Sequence, residues 1–240
     1  MGTSAMNRTI TIDGKTVSFK DGQTIMDAAL GAGVYIPHLC HHPEFKPHGS
    51  CKLCVVTVNG RSMTDCTMPA GEGMVVANNT PVLNRDRKAL VQMLFVEGNH
   101  TCPSCEKTGN CQLQAAAYYL DMMSPRYNHF YQPREVDASH PAVFLDLNRC
   151  ILCELCVRAS READGKNVFG ISGRGIGSRL VVNSASGKLG DTNFAVTDKA
   201  AEVCPTGAIL IKRQGYTVPI GQRIFDHRKI SEVQMEPGHE

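Results

Sequence analysis

Eleven cysteines and one histidine carry the chemistry that this sequence could do. They fall into three groups along the chain: Cys40, Cys51, Cys54 and Cys66; then His100, Cys102, Cys105 and Cys111; then Cys150, Cys153, Cys156 and Cys204. Counted together they make three sets of four donors with no cysteine left over. An odd number of cysteines cannot pair fully into disulfides. Clustered thiols in a chain without disulfides point to metal or redox chemistry. The arithmetic fits three metal centres in a row.

The groups differ in specificity. The third reads C-x2-C-x2-C with a distant Cys204-Pro205, the ligand run of bacterial ferredoxins. Three thiolates on one tight loop cap three corners of a cubane, and the fourth arrives from elsewhere. In two-cluster ferredoxins a further cysteine follows the triple, but Ser160 stands there. The matching second triple would fall at Phe194, Thr197 and Ala200, none of which binds iron well. One [4Fe–4S] site is therefore expected from Cys150, Cys153, Cys156 and Cys204. The first group, C-x10-C-x2-C-x11-C, could hold a [2Fe–2S] cluster or a four-cysteine zinc ion. His41, His42 and His48 lie in its loop and read as solvated, because four thiolates already complete the site.

Surrounding residues sharpen these readings. Cys40-His-His-Pro43, Gly49-Ser-Cys51 and Cys54-Val-Val-Thr-Val58 resemble the N-terminal module of the large iron–sulfur subunit of respiratory complex I, which implies [2Fe–2S]. Pro103, Cys105, Gly109, Cys111, Leu113 and Gln114 match the histidine-ligated [4Fe–4S] segment shared by complex I and the accessory domains of iron-only hydrogenases. That family places its histidine earlier, where Gly98 stands here; His100 is the nearest nitrogen donor and is the expected fourth ligand. An imidazole in place of a thiolate removes one negative charge and should raise that cluster's potential.

The module order is that of complex I, without its long further domain. A chain of this length with the H-x-C variant resembles the small diaphorase-side iron–sulfur (gamma or U-type) subunit of soluble NAD-reducing nickel–iron hydrogenases. The resemblance implies an electron relay between a flavin- and NAD-binding subunit and the hydrogenase small and large subunits. The reaction it implies is H2 + NAD+ = NADH + H+, with no substrate-converting site expected in this chain. It also implies an N-terminal cluster facing the flavoprotein and a C-terminal one facing the hydrogenase. Two alternatives stay open here: an equivalent subunit of a NAD-dependent formate dehydrogenase or complex I-like assembly, and a zinc-stabilised scaffold.

The elements that must position these ligands are legible in outline. Ile10 and Ile12, then Val17 and Phe19, alternate with polar residues around Asp13-Gly14, a two-residue hairpin signal. Thr24 is a helix N-cap with Asp27 in the first turn. Cys54–Val58 and Arg61–Asp65 flank Asn59-Gly60 as further strands, and 77–80 reads as a linker. Thr80-Pro81 starts a second helix with an apolar face from Val82 to Phe95, and 111–120 forms another. Residues 124–141 read as a loop. Strands follow at 142–147, 168–171, 180–183 and 208–211, with helices at 157–163 and 199–203. Gly170, Gly173, Gly175 and Gly177 read as turn glycines, since Ser178 breaks the dinucleotide-binding pattern.

The expected architecture is α+β: a β-grasp [2Fe–2S] domain over 1–80, a small helical His/Cys3 [4Fe–4S] segment over 81–140, and a bacterial-ferredoxin-like [4Fe–4S] domain over 141–214. A C-terminal tail over 215–240, with Val218, Ile220, Ile224 and Phe225, is expected to be an arm that orders on a partner. The formal charge of +2 counts no thiolates. With oxidised clusters at about −2, −1 and −2 the loaded chain sits near about −3, so no nucleic-acid partner is implied. No apolar run approaches a bilayer span and no Sec-type signal is evident, so the expected location is cytoplasmic.

Overall fold

The computed structural model describes residues 8–236, so the outer ends of the segments 1–80 and 215–240 lie outside it. The N-terminal module is a mixed five-stranded sheet in the order β2 (Lys15–Phe19), β1 (Arg8–Ile12), β5 (Val75–Ala77), β3 (Val55–Val58), β4 (Arg61–Thr64), crossed by one helix. Strands β1 (Arg8–Ile12) and β2 (Lys15–Phe19) pair antiparallel around Asp13 and Gly14, both at positive φ as the tight turn demands. Helix α1 (Ile25–Gly31) starts at a reciprocal cap: Asp27 N–H donates to Thr24 Oγ1, and Thr24 N–H donates to the Asp27 carboxylate. Strands β3 (Val55–Val58) and β4 (Arg61–Thr64) form the second hairpin. Ile10, Ile12, Val17, Ile25, Met26 and Val56 fill the space between sheet and helix. This is the β-grasp module expected from the sequence.

Its central strand was not legible. Val75–Ala77 forms β5, parallel to β1 and antiparallel to β3, where the sequence reads a linker beginning. Three residues give no period to read, and Val75 itself is exposed.

Helix α2 (Pro81–Glu97) follows, with Leu83 N–H donating to the Thr80 hydroxyl, and runs to Gly98. Helix α3 (Gln112–Tyr119) packs against it. The loop at 124–141 contains a two-residue strand, β6 (Val136–Asp137), beside β7 (Val143–Asp146). Strand β10 (Ile209–Ile211) completes that sheet in the order β10-β7-β6. Helix α4 (Leu155–Glu162), the hairpin β8 (Phe169–Ser172) and β9 (Arg179–Val182), and helix α5 (Lys199–Glu202) complete the C-terminal module. The glycines at 173 and 175 sit at positive φ in the hairpin turn, and a Cβ on Gly173 would lie 2.2 Å from the Gly177 carbonyl.

The tail is held to this chain at several points, although residues 215–222 are themselves exposed. Tyr216 Oη donates to Ser104 O at 2.7 Å, Ile224 N–H to Asn110 Oδ1 at 2.9 Å, and Phe225 N–H to Gly109 O at 2.9 Å. Ile230 and Val233 of the one-turn helix α6 (Ile230–Val233) are buried. Two apolar positions in a single turn show no helical period, which is why the sequence hid this docking. Val218, Ile220 and Ile224 are exposed. No helix among the described residues is long and apolar enough to cross a membrane.

The candidate metal centres

All eleven cysteines are free thiols. In the first group, Cys40 and Cys51 belong to the long loop after α1, Cys54 immediately precedes β3, and Cys66 follows β4. Cys54 Sγ and Cys66 Sγ lie 3.3 Å apart, and Cys51 N–H donates to Cys40 Sγ at 3.4 Å. Lys52 takes a left-handed φ of 56° between two of the ligands, a strained geometry that this loop tolerates to turn its sulfurs inward. A hydrogen bond from Cys51 lowers the Cys40 thiol to about 5, whereas hydrogen bonding to Cys66 and burial push Cys54 up. Asp65 is fully buried beside Cys54 and Cys66, with neither carboxylate oxygen hydrogen-bonded; burial pushes its carboxyl up to about 7.

The three histidines of this loop are not alike. His48 is half exposed and meets Glu154 at 3.0 Å, and His42 stacks on Phe45. His41 is buried against His38, both ring nitrogens unpartnered, and burial lowers it to about 4. The solvated reading therefore fails for His41, whose ring is buried edge-on against His38.

The second group converges on one cavity lined by His100, Cys102, Cys105 and Cys111, with Phe95, Leu113 and Arg149 around them. Cys111 is the N-cap of α3, and a 3-10 turn carries Cys102. His100 Nε2 is buried and without a hydrogen-bond partner, as the His41 nitrogens are, but unlike them it lines the cavity that three cysteines share, where a bound metal would satisfy it. Burial, then the nearby Arg149 cation, lowers this imidazole to about 4, so it is held neutral and ready to ligate. A Cβ on Gly98 would lie 2.4 Å from His100 Nε2. The shifted histidine thus uses the room left by the glycine that replaces the family's own ligand. Gly109 N–H donates to Gln114 Oε1, which fixes the turn before Cys111.

The third group also lines one cavity: Cys150, Cys153, Cys156 and Cys204, closed by Leu180, Pro205 and Thr206. Leu152 and Glu154 both take left-handed φ, 53° and 60°, and Leu152 N–H points at Cys150 Sγ at 3.5 Å. Alternating left-handed residues curl the loop so that successive thiols face one point. Burial pushes Cys150 up to about 11 and Cys111 up to about 12. Thiols this buried do not ionise for water; cations that replace their protons are the compensation the fold provides for. All three donor sets therefore fit the metal centres expected of them.

The sites are tied to one another. Arg149, next to Cys150, reaches Cys105 Sγ at 3.6 Å while pairing with Glu106 at 2.7 Å and Asp146 at 2.9 Å. Gln112 N–H donates to Pro205 O. On the other side, Arg158 donates to the carbonyls of Cys40 and Cys153, and Ser50 Oγ to Cys153 O at 3.5 Å. The third group thus stands between the other two, although it is last in the chain. Sequence reasoning missed these arginines: each joins positions dozens of residues apart, and nothing local marks them.

Known proteins share this organisation. A 2Fe-2S iron-sulfur cluster binding domain matches residues 6–81, the NADH-ubiquinone oxidoreductase-G iron-sulfur binding region matches 87–126, and a 4Fe-4S single cluster domain matches 143–211. Fold and donor sets thus define an iron–sulfur protein with one [2Fe–2S] and two [4Fe–4S] clusters. The gamma subunit of the NAD-reducing hydrogenase HoxS of Cupriavidus necator is 41% identical over 232 residues, 96% of this chain and 98% of that one. The chain belongs to the family of NAD-reducing hydrogenase gamma subunits. A chain in the crystal structure of a NAD+-reducing [NiFe]-hydrogenase in the H2-reduced state superposes with a TM-score of 0.91 at 54% identity, covering 93% of this chain and 95% of that chain. The NADPH-Fe(3+) oxidoreductase alpha subunit of Geobacter sulfurreducens is 34% identical over 85% of this chain, which spans 24% of its length. The mitochondrial NADH-ubiquinone oxidoreductase 78 kDa subunit of Candida albicans is 32% identical over 85% of this chain, which spans 28% of its length.

Proposed function

We propose that this chain is the electron relay of a cytoplasmic NAD-reducing nickel–iron hydrogenase, joining a flavin- and NAD-binding subunit to the hydrogenase small and large subunits. In this reading Cys40, Cys51, Cys54 and Cys66 hold the [2Fe–2S] cluster. His100, Cys102, Cys105 and Cys111 hold one [4Fe–4S] cluster, and Cys150, Cys153, Cys156 and Cys204 the other. The cluster-bearing units correspond to 1–80, 81–140 and 141–214, a division the three family matches support. When bound, the clusters supply reversible one-electron storage.

The residues of this chain do the positioning. The carbonyl contacts of Arg158 and Ser50 hold the first ligand loop against the third. Arg149 and the Gln112–Pro205 contact hold the third against the second. That middle place of the Cys204 site is the single observation that carries the reading, because a relay needs its centres in fixed succession. It also revises the expected orientation. With the N-terminal site toward the flavoprotein, the His100 site, not the C-terminal one, is the end toward the hydrogenase.

The test is a Cys153→Ala variant in the assembled complex. Hydrogen-dependent NAD+ reduction is expected to be lost, while NADH-to-dye and hydrogen-to-dye activities survive in the two halves. Undiminished hydrogen-dependent NAD+ reduction with the middle cluster absent would contradict the relay.

A further inference from the structure

Arg158 and Arg87 are the two buried arginines among the described residues that make no ion pair with a carboxylate. The Arg158 side chain rises from α4, two residues beyond Cys156, and the residue is 4% exposed. Nη2 donates to Cys40 O at 2.6 Å and to Cys153 O at 3.3 Å; Nη1 donates to Lys46 O at 3.0 Å; Nε donates to Glu154 O at 3.3 Å. Every acceptor is a main-chain carbonyl. Among the described residues no carboxylate lies within ion-pair distance of it, whereas Arg149 has two.

A guanidinium taken out of water is expensive unless an opposite charge compensates it. Carbonyl dipoles satisfy its hydrogens but supply no net charge. Beyond Glu162 on its own helix, whose carboxyl it helps Arg161 to hold below the ordinary value, the large anions this fold provides for beside it are the two four-cysteine sites, whose ligands Cys40 and Cys153 lend the carbonyls. With oxidised clusters these are the two sites of about −2 formal charge, while the histidine-ligated one carries about −1. The unpaired cation thus sits between the two most negative centres. A fixed positive charge there favours the reduced, more negative state of each.

We propose, resting on the relay reading, that Arg158 is a positioning residue that clamps the first ligand loop to the third and raises the reduction potentials of both clusters together. Its planar fork fixes geometry; its charge sets energy. Arg87 gives the internal contrast. It is also buried on carbonyls, those of Leu53, Val55 and Asn78, and on Asn84 Oδ1 of its own helix, but it donates to no residue of the C-terminal module. Its removal should leave the potential of the Cys204 site where it was.

The experiment is a potentiometric titration followed by EPR on the full-length chain, purified anaerobically with its clusters, comparing Arg158→Gln with the parent. Both the two-iron signal and the signal of the Cys204 site are expected to shift to lower potential together, with the signal of the His100 site moving least. Unchanged potentials at both sites, at full iron content, would overturn the proposal. A purely structural fork would not move two potentials in the same direction. If Arg158→Gln fails to load iron, Arg158→Lys decides. Retained charge should preserve the full iron complement and leave both potentials close to the parent's, and iron loss by both variants alike would show that only the hydrogen bonds matter and overturn the electrostatic role. A parent chain without iron would instead sink the relay reading on which the proposal rests.

Discussion

The ring of His100 occupies the space that a side chain at Gly98 would need: a Cβ on Gly98 would sit 2.4 Å from His100 Nε2 and 3.0 Å from the Asn148 carbonyl. Gly98→Ala is therefore expected to push the imidazole out of the donor set. The measurement is EPR of the reduced chain. One four-iron signal should change or vanish while the two-iron signal and the other four-iron signal stand. An unaltered spectrum would mean that His100 is not held where the glycine lets it be.

His100→Cys tests the same position by charge instead of space. A thiolate in place of neutral imidazole adds one negative charge to that cluster. Its reduction potential should fall by on the order of 100 mV, judged from the effect of histidine ligands in other iron–sulfur centres. A redox titration of this one signal checks it, and an upward shift would contradict the assignment.

Arg87 is a stability test. The guanidinium is buried, and it donates to Leu53 O, Val55 O, Asn78 O and Asn78 Oδ1 at distances between 2.7 and 3.0 Å. It fastens α2 to the loop that presents Cys51 and Cys54. Arg87→Met leaves several buried carbonyls without a donor, each worth about 1–3 kcal/mol. A loss of roughly 3 kcal/mol or more in chemical denaturation is expected, with earlier release of iron from the first site than from the third.

Asp137 gives a pH dependence with a definite sign. Burial alone would raise its carboxyl pKa. Hydrogen bonds outweigh that, from Leu189 N–H at 2.7 Å and Ser139 N–H at 2.8 Å, and hold it below the ordinary value of 3.8. Between the native and unfolded values the unfolded chain binds the extra proton, so this contribution is complete above the unfolded value and is lost as pH falls through the native one. Asp137→Asn should cost about 1–2 kcal/mol near neutrality. In paired melting curves the gap between parent and variant should narrow as pH drops below about 4. A gap that widens on acidification would contradict the hydrogen-bonding account.

What the sequence disclosed follows from the range of each signal. The Cys150–Cys156 run and the Thr24 and Thr80 caps are local, and a few residues suffice to show them. The two hairpins announce themselves through Asp13-Gly14 and Asn59-Gly60. The central strand Val75–Ala77 is paired with partners sixteen or more residues away, and three residues carry no alternation of their own. The same holds for Ile230 and Val233, which bury against α3 and its neighbours without a period to betray them. Arg158 is the extreme case: it links Cys40 to α4 across 118 positions, and its sequence neighbours read as an ordinary helix face. Donor sets were thus readable, but the contacts that order the three sites in space were not.

Metal analysis of protein purified anaerobically from its native source, with EPR after dithionite reduction, decides whether this chain holds three iron–sulfur centres. About ten irons per chain are predicted, with one two-iron and two four-iron signals. Stoichiometric zinc without iron would contradict the account and leave the fold alone standing.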